Sequence, residues 1–140
     1  MNWFTKPKPR VSISGKALKS HLRSHLSPWG ADFPIYTLDR KYALLRDEEA
    51  FQLVRDNQTF WKSETGDCDD SSIMTKAAAI RAAWKGKYGG MPAALGEIVT
   101  EDHSLTIYVN EDSRVMFGDR PGEIYTLDRF RAATIRFVRI

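Results

Sequence analysis

The single cysteine of the chain lies in the one stretch whose residue types could perform nucleophilic chemistry. Cys68 follows the turn-forming run Thr65-Gly66-Asp67 and precedes a run of strong helical character that ends near Trp84. We therefore expect Cys68 in the first turn of a helix, where backbone N–H groups and the helix dipole favour the thiolate. A single cysteine is also commonly a small buried apolar side chain. The residues around Cys68 must therefore distinguish a catalytic role from a structural one.

A histidine and a carboxylate follow at a spacing that could complete a catalytic triad. His103 opens a run of alternating apolar and polar residues, and Asp119 ends the next such run. A turn at residues 110–113 makes the two runs a hairpin, and antiparallel pairing brings Asp119 close to His103. Cysteine catalysis needs a thiolate, a base and a group that orients the base. We predict Cys68, His103 and Asp119 as the catalytic residues, with no cofactor and no metal.

The acidic residues near Cys68 and a pair of histidines offer two alternative metal sites. The carboxylates among residues 67–70 cap the helix start, or they raise the pKa of the neighbouring thiol. A calcium loop that began at residue 67 would place Ser72 where glycine is needed and Ala78 where glutamate is needed. His21 and His25 are spaced to share one helix face, but no glutamate follows His21 as in a zinc-protease motif, which favours solvated residues.

The elements that must position these residues are helices in the first part of the chain and strands in the second. Ile73, Ala77, Ile80 and Trp84 form one apolar stripe, which predicts a central, buried helix after Cys68. Two further helices are predicted over residues 15–26 and 47–56. Strands are predicted over residues 93–100, 103–110, 113–118 and 132–140. We expect an α+β fold in which the Cys68 helix packs on an antiparallel sheet.

One hexapeptide, Ile-Tyr-Thr-Leu-Asp-Arg, occurs twice. The copies are residues 35–40 and 124–129, and the residues around them do not match. A repeat this short excludes a solenoid and predicts two similar corners where a strand meets a turn.

Composition and length limit the class of protein. The chain has 140 residues, of which 42% are hydrophobic and 28% charged, so it is expected to form one globular domain with a core. One cysteine excludes an intrachain disulfide and fits a reducing compartment. No apolar run of about 18 residues predicts a membrane span, and the basic N-terminus lacks the apolar segment of a secretory signal. We expect a cytoplasmic protein.

Charge is distributed unevenly along the chain. Residues 1–46 contain nine lysine or arginine residues and two aspartates, whereas residues 47–72 contain eight acidic and two basic residues. Alternating lysine and proline near the start predict an extended basic arm over residues 1–12, which leaves residues 13–140 as a single domain. The arm could bind an anionic partner such as nucleic acid. Without a nucleic-acid motif, basic and acidic segments that face each other or lie in solvent are favoured.

The stretch around the cysteine also resembles a known family. The run Gly66-Asp67-Cys68-Asp69-Asp70, the apolar helix after it and the strand that begins at His103 resemble bacterial and phage transglutaminase-like cysteine peptidases of the papain-like superfamily. The match extends over residues 39–120. The resemblance implies a papain/transglutaminase-like fold, with Cys68 as nucleophile, His103 as base and Asp119 as the acid that orients it.

The same resemblance implies a mechanism and substrates. The Cys68 backbone N–H would be one oxyanion donor, and the second is left open between Gln58 and Trp61. The implied activity is hydrolysis or acyl transfer at an amide bond of a protein or of peptidoglycan, through a thioester. A peptidase or amidase is one hypothesis, and a catalytically inactive member of the fold that serves as a phage structural or binding module is the alternative. A phage-encoded chain would act in the host cytoplasm or the virion. In a third hypothesis the chain is a basic nucleic-acid-associated protein and Cys68 is incidental.

Overall fold

The computed structural model describes residues 9–58, 68–119 and 122–140, and of Cys68 it describes the backbone alone. Three helices lie in these ranges: α1 (Gly15–Leu26), α2 (Asp47–Asp56) and α3 (Cys68–Trp84). The strands in the same ranges are β1 (Ser12–Ser14), β2 (Ile35–Tyr36), β3 (Lys41–Ala43), β4 (Leu95–Thr100), β5 (Ser104–Val109), β6 (Val115–Asp119), β7 (Glu123–Thr126) and β8 (Ile135–Arg139). The predicted N-terminal arm falls mainly on residues 1–8, outside the described residues.

The strands form a six-stranded sheet and a separate two-stranded ladder. The sheet has the order β2-β8-β4-β5-β6-β7, and β1 pairs with β3. Neighbours are antiparallel except at one edge, where β2 runs parallel to β8. The sheet was predicted as antiparallel, and the parallel edge strand β2 departs from that prediction. No local turn joins these two strands, which lie about a hundred residues apart, so nothing in the hairpin pattern determines their direction.

The repeated hexapeptide forms both edges of the six-stranded sheet. Its first copy supplies β2 and its second copy supplies β7, and these are the outermost strands. After β7 the chain makes a short 3-10 turn over Leu127–Arg129, whereas after β2 it continues through a bend to β3. The two copies thus form similar edge strands, but the chain leaves them in different ways. The strand at the second copy was not predicted from the sequence.

Helix α1 is held by one apolar face and by its first residue. Leu18, Leu22 and Leu26 are completely buried, and the Ser14 hydroxyl caps the helix by accepting a hydrogen bond from the Ala17 N–H at 3.1 Å. A β-carbon on Gly15 would lie 2.1 Å from a backbone carbonyl oxygen, so only glycine permits this close approach.

Helix α3 lies on the sheet, against β4 and β5, through its small and hydroxyl-bearing side chains. Ser72, Thr75 and Ala79 are buried, and the Ser72 and Ser104 hydroxyls are 2.8 Å apart. The prediction that the apolar stripe is buried is wrong, because Ile73, Ile80 and Trp84 are exposed on the other side of the helix. Helical periodicity identifies a stripe but does not say what covers it.

No helix in the described residues is long and apolar enough to cross a membrane.

Glu49, in the first turn of α2, joins that helix to the chain before β1. Both Glu49 oxygens accept hydrogen bonds from the Arg10 guanidinium, at 2.6 and 2.9 Å, and one also accepts the Arg46 backbone N–H at 3.0 Å. Burial raises the pKa of Glu49, but the hydrogen bonds from Arg10 and Arg46 outweigh it and lower that pKa from 4.5 to about 2.

This pair predicts a specific acid sensitivity. A carboxylate with a depressed folded-state pKa contributes stability above its unfolded pKa, and that contribution is lost as the pH falls from 4.5 to about 2. Over this range we expect the free energy of unfolding of Glu49→Gln to fall by about 1–2 kcal/mol less than that of the wild type. Urea unfolding at a series of pH values measures the difference. The matched control is Glu48→Gln, which replaces the exposed neighbour; an equal pH dependence in both variants would contradict the prediction.

Candidate functional site

His103 and Asp119 form a hydrogen-bonded pair at one end of the sheet. His103 Nε2 lies 3.0 Å from Asp119 Oδ2, and the two side chains are 40% and 24% exposed. The register of β5 and β6 pairs Thr106 with Gly118, so His103 lies just before one strand and Asp119 at the end of the next. The pair is therefore accessible to a ligand and fixed by the hairpin.

Backbone hydrogen bonds hold His103 in place. The His103 N–H donates to the Thr100 hydroxyl at 3.1 Å, and the Thr100 N–H donates to the His103 carbonyl at 2.8 Å. These bonds close the tight turn between β4 and β5 on both sides. The position of the imidazole is thus set by the sheet rather than by a free loop.

The start of α3 lies beside this pair. Ser72, whose hydroxyl is 2.8 Å from that of Ser104, is one helical turn after Cys68, and Ser104 directly follows His103. The structure therefore brings the first turn of α3 to the strand end that carries His103. The Cys68 thiol lies outside the described part of the chain, so its contact with His103 and Asp119 stays a prediction.

The surroundings of the pair are partly apolar. Burial, together with the negative charges of Asp119 and Glu123, raises the pKa of Tyr125 to about 12, so this phenol stays neutral near the pair. The ring of Tyr125 stacks on that of Phe117, with ring centres 5.7 Å apart. Of the two residues left open as oxyanion donors, Gln58 donates to the Val54 carbonyl at 2.6 Å, and Trp61 lies outside the described residues.

A second feature lies at the other end of α3. A cleft of about 490 Å³ opens between the last turns of this helix, the bend after β2 and the end of β8. Its apolar walls include Leu38, Ile80 and Trp84, and its polar side chains are Asp39, Lys76 and Arg139, with the Tyr42 hydroxyl. The sequence signal for this cleft is Trp84, which ends the apolar stripe of α3. The periodicity alone predicts that this tryptophan belongs to the core.

Two large apolar side chains at this cleft are unusually exposed to solvent. Trp84 is 82% exposed and Leu38 is 85% exposed. Soluble domains bury most side chains of this kind, and an exposed cluster in a concave surface commonly marks a binding site. The cleft thus has walls that could pack against a ligand.

Charged groups lie along one side of the cleft. Arg139 forms an ion pair with Glu97, whose side chain is 5% exposed. The Lys76 amine makes one long hydrogen bond, 3.5 Å, to the Leu95 carbonyl. Burial and the positive charge of Arg139 lower the pKa of Lys76, although the charges of Glu97 and Asp39 act in the opposite direction.

In the described residues, no group of three or more histidine, cysteine, aspartate or glutamate side chains is arranged to hold a metal ion. His21 and His25 do not form such a site with a neighbour. His21 Nε2 donates to the Ser113 carbonyl at 2.7 Å, and His25 Nδ1 donates to the His21 carbonyl at 2.8 Å. The His21 ring therefore joins α1 to the β5–β6 turn, and the His25 ring bonds to the backbone of α1 while it stays exposed to solvent.

No protein-family model matches the chain, and no curated protein matches it. Its fold is similar to that of two solved structures of Polyporus squamosus lectin. The first, PSL1a in complex with E64, has a TM-score of 0.71 and 23% sequence identity over 92% of this chain and 50% of that one. The second is the lectin bound to the human-type influenza-binding epitope Neu5Acα2-6Galβ1-4GlcNAc, with a TM-score of 0.59 and 24% identity over 81% of this chain and 45% of that one. The chain thus spans about half the length of either structure.

The fold likeness overturns the resemblance drawn from the sequence. The predictions of a transglutaminase-like cysteine peptidase and of a papain/transglutaminase-like fold class are wrong, because the similar solved structures are those of a lectin. The glycine, cysteine and acidic residues around a helix start are weak evidence for a family. Acidic residues stabilise the start of any helix, whatever the fold.

The functional predictions that rested on this resemblance are wrong with it. They are the cysteine-dependent hydrolase or acyl-transferase, the enzyme class, the protein or peptidoglycan amide substrates, and the inactive phage module. The prediction of an anionic partner for the basic arm is wrong as well, because the similar lectin structure carries a carbohydrate epitope.

Proposed function

We propose that this chain is a carbohydrate-binding domain and that the cleft at the C-terminal end of α3 is its glycan site. The observation that carries the proposal is the Trp84 ring, which is 82% exposed and forms one wall of the cleft. The less polar C–H face of a sugar ring packs well on the flat apolar face of an indole, while the sugar hydroxyls remain available for hydrogen bonds.

The other groups of the cleft suit the same class of ligand. The Asp39 carboxylate can accept hydrogen bonds from sugar hydroxyls, and Lys76 and Arg139 can donate to them. A volume of about 490 Å³ falls in the range of small-molecule sites, which combine apolar walls with a few polar groups. The fold also supports the proposal, because a lectin with a similar fold carries the trisaccharide Neu5Acα2-6Galβ1-4GlcNAc.

Isothermal titration calorimetry with Neu5Acα2-6Galβ1-4GlcNAc tests this proposal. We expect the wild-type chain to bind the trisaccharide and Trp84→Ala to bind it about fivefold more weakly, because an aromatic stacking contact contributes about 1 kcal/mol. Met74→Ala is the matched control, since Met74 is 44% exposed on the same helix but is not part of the cleft. Absence of binding to the wild type, or equal weakening in both variants, would contradict the proposal.

We also propose that Cys68, His103 and Asp119 form a second ligand site, at the N-terminal end of α3. The hydrogen-bonded pair of His103 and Asp119 supports it, because both side chains are partly exposed beside the first turn of the helix. The similar structure of PSL1a, which is a complex with E64, supplies a probe for this chain.

Binding of E64 to the purified chain tests the second site. We expect the wild type to bind E64, Cys68→Ala to lose binding, and His103→Ala to bind about tenfold more weakly, because one hydrogen-bonding group is lost. Intact-mass spectrometry detects an adduct and calorimetry detects reversible binding. The control is His25→Ala, an exposed histidine on α1. If Cys68→Ala binds E64 as well as the wild type does, the three residues are not this site.

The cytoplasmic location predicted from the sequence is kept as part of the proposal. It is supported by the single cysteine, because chains of oxidising compartments commonly use disulfides. Fractionation of cells that express the full-length protein measures it directly, and recovery outside the cytoplasm would overturn it.

A further inference from the structure

Lys76 stands out among the charged side chains because it is half-buried in an apolar cleft. It lies in the middle of α3, and the neighbouring walls include Ala79, Ile80 and Leu95. Most lysine amines are fully hydrated at the surface, where they are strongly protonated. An amine that shares its cleft with apolar walls has lost part of that hydration.

The hydrogen bonding of Lys76 leaves its amine available. Its one hydrogen bond to a described residue is the 3.5 Å contact with the Leu95 carbonyl, which is at the limit of a hydrogen bond. No carboxylate in the described parts of the chain forms an ion pair with it. The nitrogen lone pair is therefore not committed to a close partner once the proton leaves.

The charged groups around Lys76 come from three neighbouring elements. Arg139 on β8 lowers the pKa of the amine, together with burial, while Glu97 on β4 and Asp39 in the bend after β2 raise it. Glu97 and Arg139 form an ion pair with each other, so their charges largely offset and burial is the main effect on the pKa of the amine. Tyr42 of β3 also lines the cleft, and burial raises its pKa, so it remains an uncharged phenol. Desolvation in an apolar pocket is one condition under which lysine acts as a nucleophile.

We propose that Lys76 is a covalent capture site for small aldehydes that carry an apolar ring. The ring packs on the apolar walls of the cleft, which include Leu38 and Trp84, and the carbonyl carbon is thereby held in the cleft that Lys76 also lines. The inference does not depend on the proposed glycan binding, since no sugar is required. Either proposal can fail without affecting the other.

The reaction is a condensation without oxidation or reduction. The neutral amine adds to the aldehyde carbon, and a carbon–nitrogen bond forms as the carbonyl oxygen takes a proton. Loss of the nitrogen's second proton and of the hydroxyl releases one molecule of water and leaves an imine. The imine is reversible, so the captured aldehyde can leave by hydrolysis.

Reductive trapping with benzaldehyde tests the proposal on the intact wild-type chain. Sodium cyanoborohydride delivers hydride to the imine carbon and fixes the adduct as a secondary amine, and peptide mapping by mass spectrometry then locates it. At about pH 7.5, where surface lysines are almost fully protonated, we expect several-fold faster labelling at Lys76 than at the exposed Lys85 of the same region. The preference is expected to disappear in guanidinium, where the cleft is lost.

Two variants sharpen the test. Lys76→Met should lose the fast label and retain slow labelling of the remaining lysines. Trp84→Ala should slow labelling at Lys76 and leave labelling at Lys85 unchanged, because the aromatic wall is removed and the amine is kept. Labelling of Lys76 no faster than of Lys85 in the folded wild type would overturn the proposal, as would equal labelling rates before and after unfolding.

Discussion

The packing of α3 on the sheet is the interaction on which both candidate sites depend. The helix approaches β4 and β5 through small and hydroxyl-bearing side chains, and such side chains allow a close approach of helix and sheet. Buried hydroxyls must find partners, and here they do: Ser72 bonds with Ser104 and with the Asp69 carbonyl, and Thr75 donates to the Ser71 carbonyl at 2.8 Å. The Ser72–Ser104 bond crosses from the helix to β5 and helps to set the register of the helix on the strands, whereas the other two bonds lie within α3.

This arrangement leaves different chemistry at the two ends of one helix. A helix of 17 residues is about 25 Å long, so a ligand at its start does not touch a ligand at its end. The start lies beside the hydrogen-bonded His103 and Asp119, which offer an imidazole and a carboxylate. The end forms a wall of the cleft and offers an indole ring and an amine. The apolar side chains that face away from the sheet thereby become the binding surface.

Local signals in the sequence predicted the local parts of the structure. The β5–β6 hairpin follows from two alternating runs around a turn, and its register is sufficient to bring Asp119 to His103 without knowledge of the rest of the fold. The helix over residues 15–26 was predicted for the same reason, because periodicity and capping act within a few residues. The β7 strand was missed because its hexapeptide was interpreted as a corner.

Long-range relations were not predictable in this way. The parallel pairing of β2 with β8 joins strands that lie about a hundred residues apart, and no turn between them indicates it. The apolar stripe of α3 was assigned to the core because a stripe of this kind is usually covered, yet here Ser72 and Thr75 face the sheet and Trp84 faces solvent. The family prediction failed for a related reason, since the run around Cys68, the helix after it and the strand at His103 are local features that different folds share.

The most direct test of the account is a two-dimensional 1H–15N NMR titration that follows the tryptophan indole signals while Neu5Acα2-6Galβ1-4GlcNAc is added. The chain has four tryptophans, and spectra of Trp84→Phe and Trp29→Phe assign the two that matter. The account predicts that the Trp84 indole signal moves in a saturable way, while that of Trp29, which packs against Phe130, stays in place. An unchanged Trp84 signal at saturating sugar, with or without shifts elsewhere, would contradict the claim that the end of α3 is a glycan site.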